Sequence, residues 1–417
     1  WDVGHQAYVH KLLTGRKEKL ESIRQKGSIA GFTNRAESKY DPFGAGHSST
    51  SISAAVGFAL GQRLNKIKRK QVAIIGDGAF TGGMSYEALN FLGQEKLDVL
   101  VVLNDNESSI DANVGHLATH GSYDTLCNAL GIEYLGEVDG HNINALLIEL
   151  EKAKAKSQPR LIRVRTKKFA KDSKEHKKEK IPDSFQEVFS KTMIEIASEN
   201  KKVVAISPAM LSGSGLDRFK EKFPNRTFDV GIAEQNAVTM AAGLAADGFI
   251  PVVHLYSTFS QRAYDQIIHD VALQNLHVIF CLDRAGLVGE DGATHHGNFD
   301  VGFLNTIPNL SIAAPMGGNV LSNILHVAIS EKGPWCIRYP KSDCEFILQK
   351  PVAKPIDPKL CRKGADKVVL SFGAIGKEVN EALEGTSFAH YNFPILKPLN
   401  TAKLTEITKS FDKLITV

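Results

Sequence analysis

The chain has 417 residues, 43% of them hydrophobic and 23% charged, with a formal net charge of +4. That is the composition of a globular protein of about two to four domains. The charge is too mild for a nucleic-acid binder, and no basic cluster is interleaved with aromatics. No apolar run is long enough to cross a bilayer.

Two β-branched runs, Val72–Ile75 and Val99–Leu103, predict strands buried on both faces, the habit of a parallel sheet. Helical stretches at 85–92 and 144–156 and a strand at 160–164 continue the alternation. The lysine-dense segment 167–180 reads as a solvated linker. Beyond it, strand-like runs at 203–207, 251–256, 277–282 and 335–339 alternate with helices predicted at 233–246 and 262–273. A third block opens near Cys361, with a strand at 368–372, a helix at 377–383 and a closing apolar run at 414–417. The expectation is three consecutive α/β domains with mainly parallel sheets, at 1–172, 182–350 and 354–417, the third cut short. The five cysteines have neither Cys-x-x-Cys nor zinc spacing and read as buried thiols in a reducing compartment.

The chemistry concentrates at strand ends. Gly76-Asp77-Gly78 closes the first run and Asn104-Asp105-Asn106 the second. Asp77 and Asn106 can offer hard oxygens to one Mg²⁺ whose shell a phosphate completes, while the glycines let the backbone approach that phosphate. Either string is equally ordinary turn chemistry. A dinucleotide fingerprint fails at Thr81, and no Gly-Lys-Ser or Gly-Lys-Thr loop is present. Glu234 opens a helix of small apolar residues, where dry surroundings raise a carboxyl's pKa. A protonated Glu234 could donate to a heterocyclic nitrogen, the role a thiamine diphosphate site requires. His254 and His269 read as satisfied core residues, whereas His295 lies in a polar, glycine-rich loop of the kind that carries function.

Longer strings carry a resemblance. They are Asp2-Val3-Gly4-His5-Gln6-Ala7-Tyr8, Gly46-His47-Ser48-Ser49-Thr50-Ser51, Ile232-Ala233-Glu234-Gln235, Tyr256-Ser257-Thr258-Phe259, Asp283-Arg284-Ala285-Gly286 and Asp291-Gly292-Ala293-Thr294-His295. On these, with the two strand-end strings, the chain resembles the 1-deoxy-D-xylulose-5-phosphate synthase family of transketolase-like thiamine diphosphate enzymes. The resemblance implies a decarboxylative condensation of pyruvate with D-glyceraldehyde 3-phosphate, feeding isoprenoid, thiamine and pyridoxal synthesis. It implies thiamine diphosphate and Mg²⁺ as cofactors, with Asp77, Asn106 and Ser108 as metal ligands. Cofactor contacts would come from His5, Gly46, His47, Gly78, Ala79, Asn106, Lys168, Glu234 and Phe259. Glu234, His295, His47 and Asp291 would be catalytic, and Tyr256, Arg284 and Arg338 would grip the acceptor's phosphate. It further implies a cytoplasmic homodimer with no nucleic-acid or membrane partner, plastid targeting being left open. Against that pattern the expectation is that the family's N-terminal region is missing here, and the residues depart from it in the stretches after Lys168 and Gly115 and at Asn236, where the family has His. A transketolase-type two-carbon transferase and a cofactor-free assembly shell are the alternative readings.

Overall fold

The computed structural model describes residues 1–107, 112–167, 183–344, 356–365 and 367–417. Residues 1–167, with 230–233 and 289–294, form one compact unit, and the other described residues form a second. The expected domain limits at 172, 182, 350 and 354 lie outside the described residues.

The first unit holds a parallel sheet of β1 (Gln71–Gly76), β2 (Val99–Asp105), β3 (Glu133–Asp139) and β4 (Arg160–Arg165), in the order β1-β2-β4-β3. Val99, Val101 and Leu103 are fully buried, and with Ile75 they meet Ile52 and Leu89 from the helices Ser51–Asn65 and Gly83–Glu95. β1 departs from the expectation of burial on both faces. It lies at the edge of the sheet, and Val72 is 48% exposed. The pairing of Gly76 with Asn104 sets the two polar strand ends side by side.

The second unit contains a seven-stranded sheet with strands β5 (Val203–Ser207), β6 (Thr227–Asp229), β7 (Ile250–Tyr256), β8 (Ile279–Asp283), β9 (Ser311–Ala313), β10 (Trp335–Arg338) and β14 (Ile395–Lys397). It is parallel except for β14, which pairs antiparallel with β9. Every residue of β5 and β8 is buried. Helix Phe185–Glu199 presents Phe185, Val188, Phe189, Met193 and Ile196 to this core at helical spacing, and its N-cap Ser184 accepts a hydrogen bond from the Glu187 N–H. The C-terminal block adds a third sheet in the order β11 (Lys359–Arg362), β13 (Ala389–Phe393), β12 (Lys367–Phe372), β15 (Lys413–Thr416), with only β11 antiparallel. Through β14 this block also extends the middle sheet.

Several local expectations change. The helix predicted at 262–273 is instead a 3-10 turn at Phe259–Ala263, one α turn at Tyr264–Gln266 and a π stretch at Ile267–Ala272. The widened turn turns Ile267, Val271 and Ala272 into the core together and leaves Leu273 61% exposed. Cys127, Cys281 and Cys336 are buried free thiols, but Cys344 and Cys361 are only half-buried. His269 is surface-exposed and bonded to Asp270 at 2.7 Å. Among the described residues, no helix is long and apolar enough to cross a membrane.

Candidate active site

In the first unit, β1 delivers Asp77 to the first turn of the short helix Asp77–Phe80, where its side chain is buried. Its carboxylate accepts hydrogen bonds from the Gly78 N–H (3.0 Å), the Asn106 N–H (3.2 Å) and Asn113 Nδ2 (2.8 Å). Burial, then the neighbouring Asp105 carboxyl, pushes the Asp77 pKa up to about 6. Burial acts on Asp105 in the same sense and is the largest single influence, but Arg163, donating from Nε at 2.6 Å, the Glu107 N–H and Asp77 together lower that pKa. Asn106 Oδ1 is buried without a hydrogen-bond partner among the described residues. An orphaned amide oxygen beside two acids is a hard-oxygen donor set with an excess of negative charge, and it suits Mg²⁺. Ser108 and Lys168 lie outside the described residues.

The loop of Gly46 and His47 is anchored from beneath. Buried Asp2 accepts from the Ser49 N–H (2.8 Å) and the Ser51 N–H (2.9 Å), while its own N–H donates to the β1 residue Ile74 (2.7 Å). Ser49 Oγ donates to the Ala79 carbonyl at 2.7 Å, which joins this loop to the Gly78–Ala79 turn. Gly46 has to be glycine, because a Cβ there would lie 2.4 Å from Thr294. His47 Nε2 lies 2.8 Å from the Thr294 carbonyl, and both residues line a cavity of about 350 Å³ with Phe32, Thr33, Gly46 and Asp291. Asp291 is ion-paired with Arg24 at 2.8 Å. His5 is exposed, at the start of helix Gln6–Lys11.

In the second unit, Glu234 opens helix Glu234–Ala246 and is 6% exposed. Burial raises its pKa, and the Arg262 guanidinium 3.9 Å away restrains the rise. Tyr256 ends β7, and its ring stacks on Phe259 at 5.5 Å with 11° between planes. His295 stands edge-on to Phe259 at 5.5 Å, and the Arg284 guanidinium lies 4.0 Å over the Tyr256 ring. Sequence reasoning therefore chose four residues that the fold brings into one continuous stack. Arg284 follows β8 with a positive φ of 58°, held by its N–H to Asp283 Oδ1 (2.6 Å) and by Nη1 to Asp283 Oδ2 and to the Gly213 carbonyl (3.0 Å). A Cβ at Gly213 would lie 2.5 Å from the Tyr256 hydroxyl, so a larger residue there would push the Tyr256 ring. Arg338 Nε donates to buried Asp300 at 2.8 Å, and Asp300 also accepts from Ser257 Oγ at 3.0 Å.

The residues missed by sequence reasoning are mainly the partners: Asp2, Arg24, Asp105, Asn113, Arg163, Gln186, Arg262, Asp283 and Asp300. A second acid inside Asn104-Asp105-Asn106 was the one local signal. Asp283 bonds the adjacent Arg284, and most of the others reach their partners across the chain.

A family model described as 1-deoxy-D-xylulose-5-phosphate synthase matches residues 1–124 and 121–166, and the transketolase pyrimidine-binding-domain model matches 183–345. A 1-deoxy-D-xylulose-5-phosphate synthase of Histophilus somni (strain 2336) is 40% identical over 480 residues, covering 100% of this chain and 78% of the relative. Another, from Cytophaga hutchinsonii, is 42% identical over 496 residues with the same coverage. Among solved structures, a split-gene transketolase described as an inactive beta4 tetramer is 25% identical, with a TM-score of 0.52 over 57% of this chain and 79% of that one. A transketolase mutant from Pichia stipitis is 16% identical, with a TM-score of 0.50 over 99% and 83%, a likeness of fold alone. Identity at this level runs through both units and the C-terminal block, and on that ground the chain belongs to the 1-deoxy-D-xylulose-5-phosphate synthase family.

Proposed function

We propose that Asp77, Asn106, Glu234, Phe259, His295, Arg284 and their neighbours perform the family's reaction, the decarboxylative condensation of pyruvate with D-glyceraldehyde 3-phosphate to 1-deoxy-D-xylulose 5-phosphate. The protein is a thiamine diphosphate-dependent transferase of that family, and the observation that carries this is 40–42% identity over its whole length. When bound, thiamine diphosphate supplies the electron sink for decarboxylating a 2-keto acid. Asp77 and Asn106 would hold a Mg²⁺ on the diphosphate, with Gly78, Ala79, Gly46, His5, His47 and Lys168 contributing cofactor contacts. The orphaned Asn106 oxygen and the Asp77–Asp105 acid pair support the metal assignment.

Burial favours the neutral form of Glu234, which lets its carboxyl donate a hydrogen bond to a ring nitrogen of the cofactor. Phe259 offers an apolar face for a heterocycle, and His295 and His47 would carry protons to and from the substrates. Asp291, tied to Arg24, would fix the loop that leads to His295. Arg284 and Arg338 present planar forks suited to a phosphate, with Tyr256 beside them. The enzyme is proposed to be a cytoplasmic homodimer, in domains spanning 1–172, 182–350 and 354–417. Transketolase-type transfer draws on the pyrimidine-binding-domain match and the transketolase neighbours, and not on the whole-length identity.

The test is Glu234→Ala, assayed with both substrates for carbon dioxide release. Loss of about 100-fold or more in turnover is expected if the carboxyl acts as general acid. Wild-type turnover in that variant removes the role given to Glu234.

A further inference from the structure

His254 lies on β7 two residues before Tyr256 and is fully buried. It is not the satisfied core histidine that its apolar strand suggests. Neither Nδ1 nor Nε2 has a hydrogen-bond partner among the described residues, although Nε2 lies 3.4 Å from Asp283 Oδ2. A buried imidazole with both nitrogens unpaired is costly. The ring is nonetheless wedged in place, 5.5 Å from Phe189 and edge-on to Tyr256 at 6.2 Å.

Asp283 explains what the imidazole faces. Its Oδ1 accepts from Gln186 Nε2 (2.5 Å) and from the Arg284 N–H (2.6 Å). Its Oδ2 accepts from the Arg284 guanidinium, whose plane covers Tyr256. A guanidinium that turns to hold a phosphate with both of its forks leaves this buried oxygen without its donor. A stranded buried carboxylate oxygen opposes that turn. His254 Nε2 needs to close only about 0.5 Å to reach hydrogen-bond distance.

We infer that His254 is the reserve donor to Asp283: its Nε2–H takes Asp283 Oδ2 when Arg284 turns to the phosphate of the acceptor. His254 is thus a positioning residue, acting through Asp283 on Arg284, and it tunes selectivity for a phosphorylated acceptor. The inference rests on Arg284 as the phosphate grip.

The experiment compares D-glyceraldehyde 3-phosphate with unphosphorylated D-glyceraldehyde in steady-state kinetics of the full chain. In His254→Phe, which keeps the ring volume, and in His254→Ala, which cannot overpack, KM for the phosphorylated acceptor rises about tenfold. The KM for pyruvate, kcat and the rate with the unphosphorylated acceptor stay unchanged, and His254→Asn, which keeps a donor, recovers most of the loss. Calorimetric titration with glycerol 3-phosphate weakens by the same factor. Equal losses with both acceptors, or no loss with either, overturn the inference. Arg284→Met separates it from its premise. If that variant loses the preference for phosphate while the His254 variants keep it, only the reserve donor is wrong. If Arg284→Met keeps the preference, the phosphate grip itself is wrong.

Discussion

Two buried carboxylates of the first unit are treated in opposite ways. Asp41 accepts two hydrogen bonds from Arg16 (2.8 Å each), one from His10 Nε2 (2.8 Å) and one from the Asn34 N–H (2.9 Å). Burial opposes its ionisation, yet Arg16 and these other donors hold its pKa far below the usual carboxylate range. Asp77 has neutral donors and an acidic neighbour, and its pKa moves the other way. The first carboxylate is saturated within its own fold and ties the residues around Arg16 to the loop around Asp41. The second sits beside another acid in the interior, and burial and that neighbour favour its protonated form. A buried acid that an arginine holds ionised ties the fold together, whereas one whose pKa burial and a second acid raise is a candidate site.

Neutralising each acid sharpens the contrast. Asp77→Asn should lower turnover by about 100-fold or more, the scale on which metal sites respond to the loss of a supporting group. Unchanged activity with an unchanged Mg²⁺ requirement would remove Asp77 from the metal site. In chelator-treated protein the same change relieves a buried pair of acids, so it should raise stability by about 1 kcal/mol, read from denaturant melts. Asp41→Ala should do the reverse, costing about 3–5 kcal/mol because it leaves buried Arg16 with only the longer Glu37 contact at 3.4 Å to balance its charge. Its pH dependence has a definite sign. The folded pKa lies below the unfolded one, so this stabilisation is present above about pH 4 and is lost as the pH falls through the folded value. Melts between pH 7 and pH 5 should therefore show the same Asp41 contribution throughout, with no pH dependence from this group.

How much of this was legible follows from distance along the chain. Asp77 and Asn106 stand out because each follows a β-branched strand, and the register of β1 with β2 then makes them neighbours. Tyr256, Phe259 and His295 were visible as motif residues, but their stacking depends on where β7 and the loop at 295 end up. The Asp41–Arg16 pair spans 25 positions and Gln186–Asp283 spans 97, with nothing local to announce either. His254 was misread for the same reason, since whether a histidine is satisfied depends on partners that packing chooses. The 259–272 segment was misread because helical apolar spacing does not distinguish α from 3-10 and π turns. β14 escaped notice because three residues carry too little pattern.

Arg24 and Asp291 give the comparison its mildest test. This pair also joins a basic to an acidic group across the first unit, at the same 2.8 Å as Arg16 and Asp41, but its side chains are 25% and 33% exposed against 8% and 0%. Water screens the exposed pair, and breaking it leaves no stranded interior charge. Arg24→Met should therefore cost at most about 1 kcal/mol in denaturant melts, although it frees the loop of Asp291. If this variant destabilises the protein as much as Asp41→Ala does, then burial is not what separates a structural carboxylate from a poised one. The distinction would then have to lie in the number of donors that each carboxylate accepts.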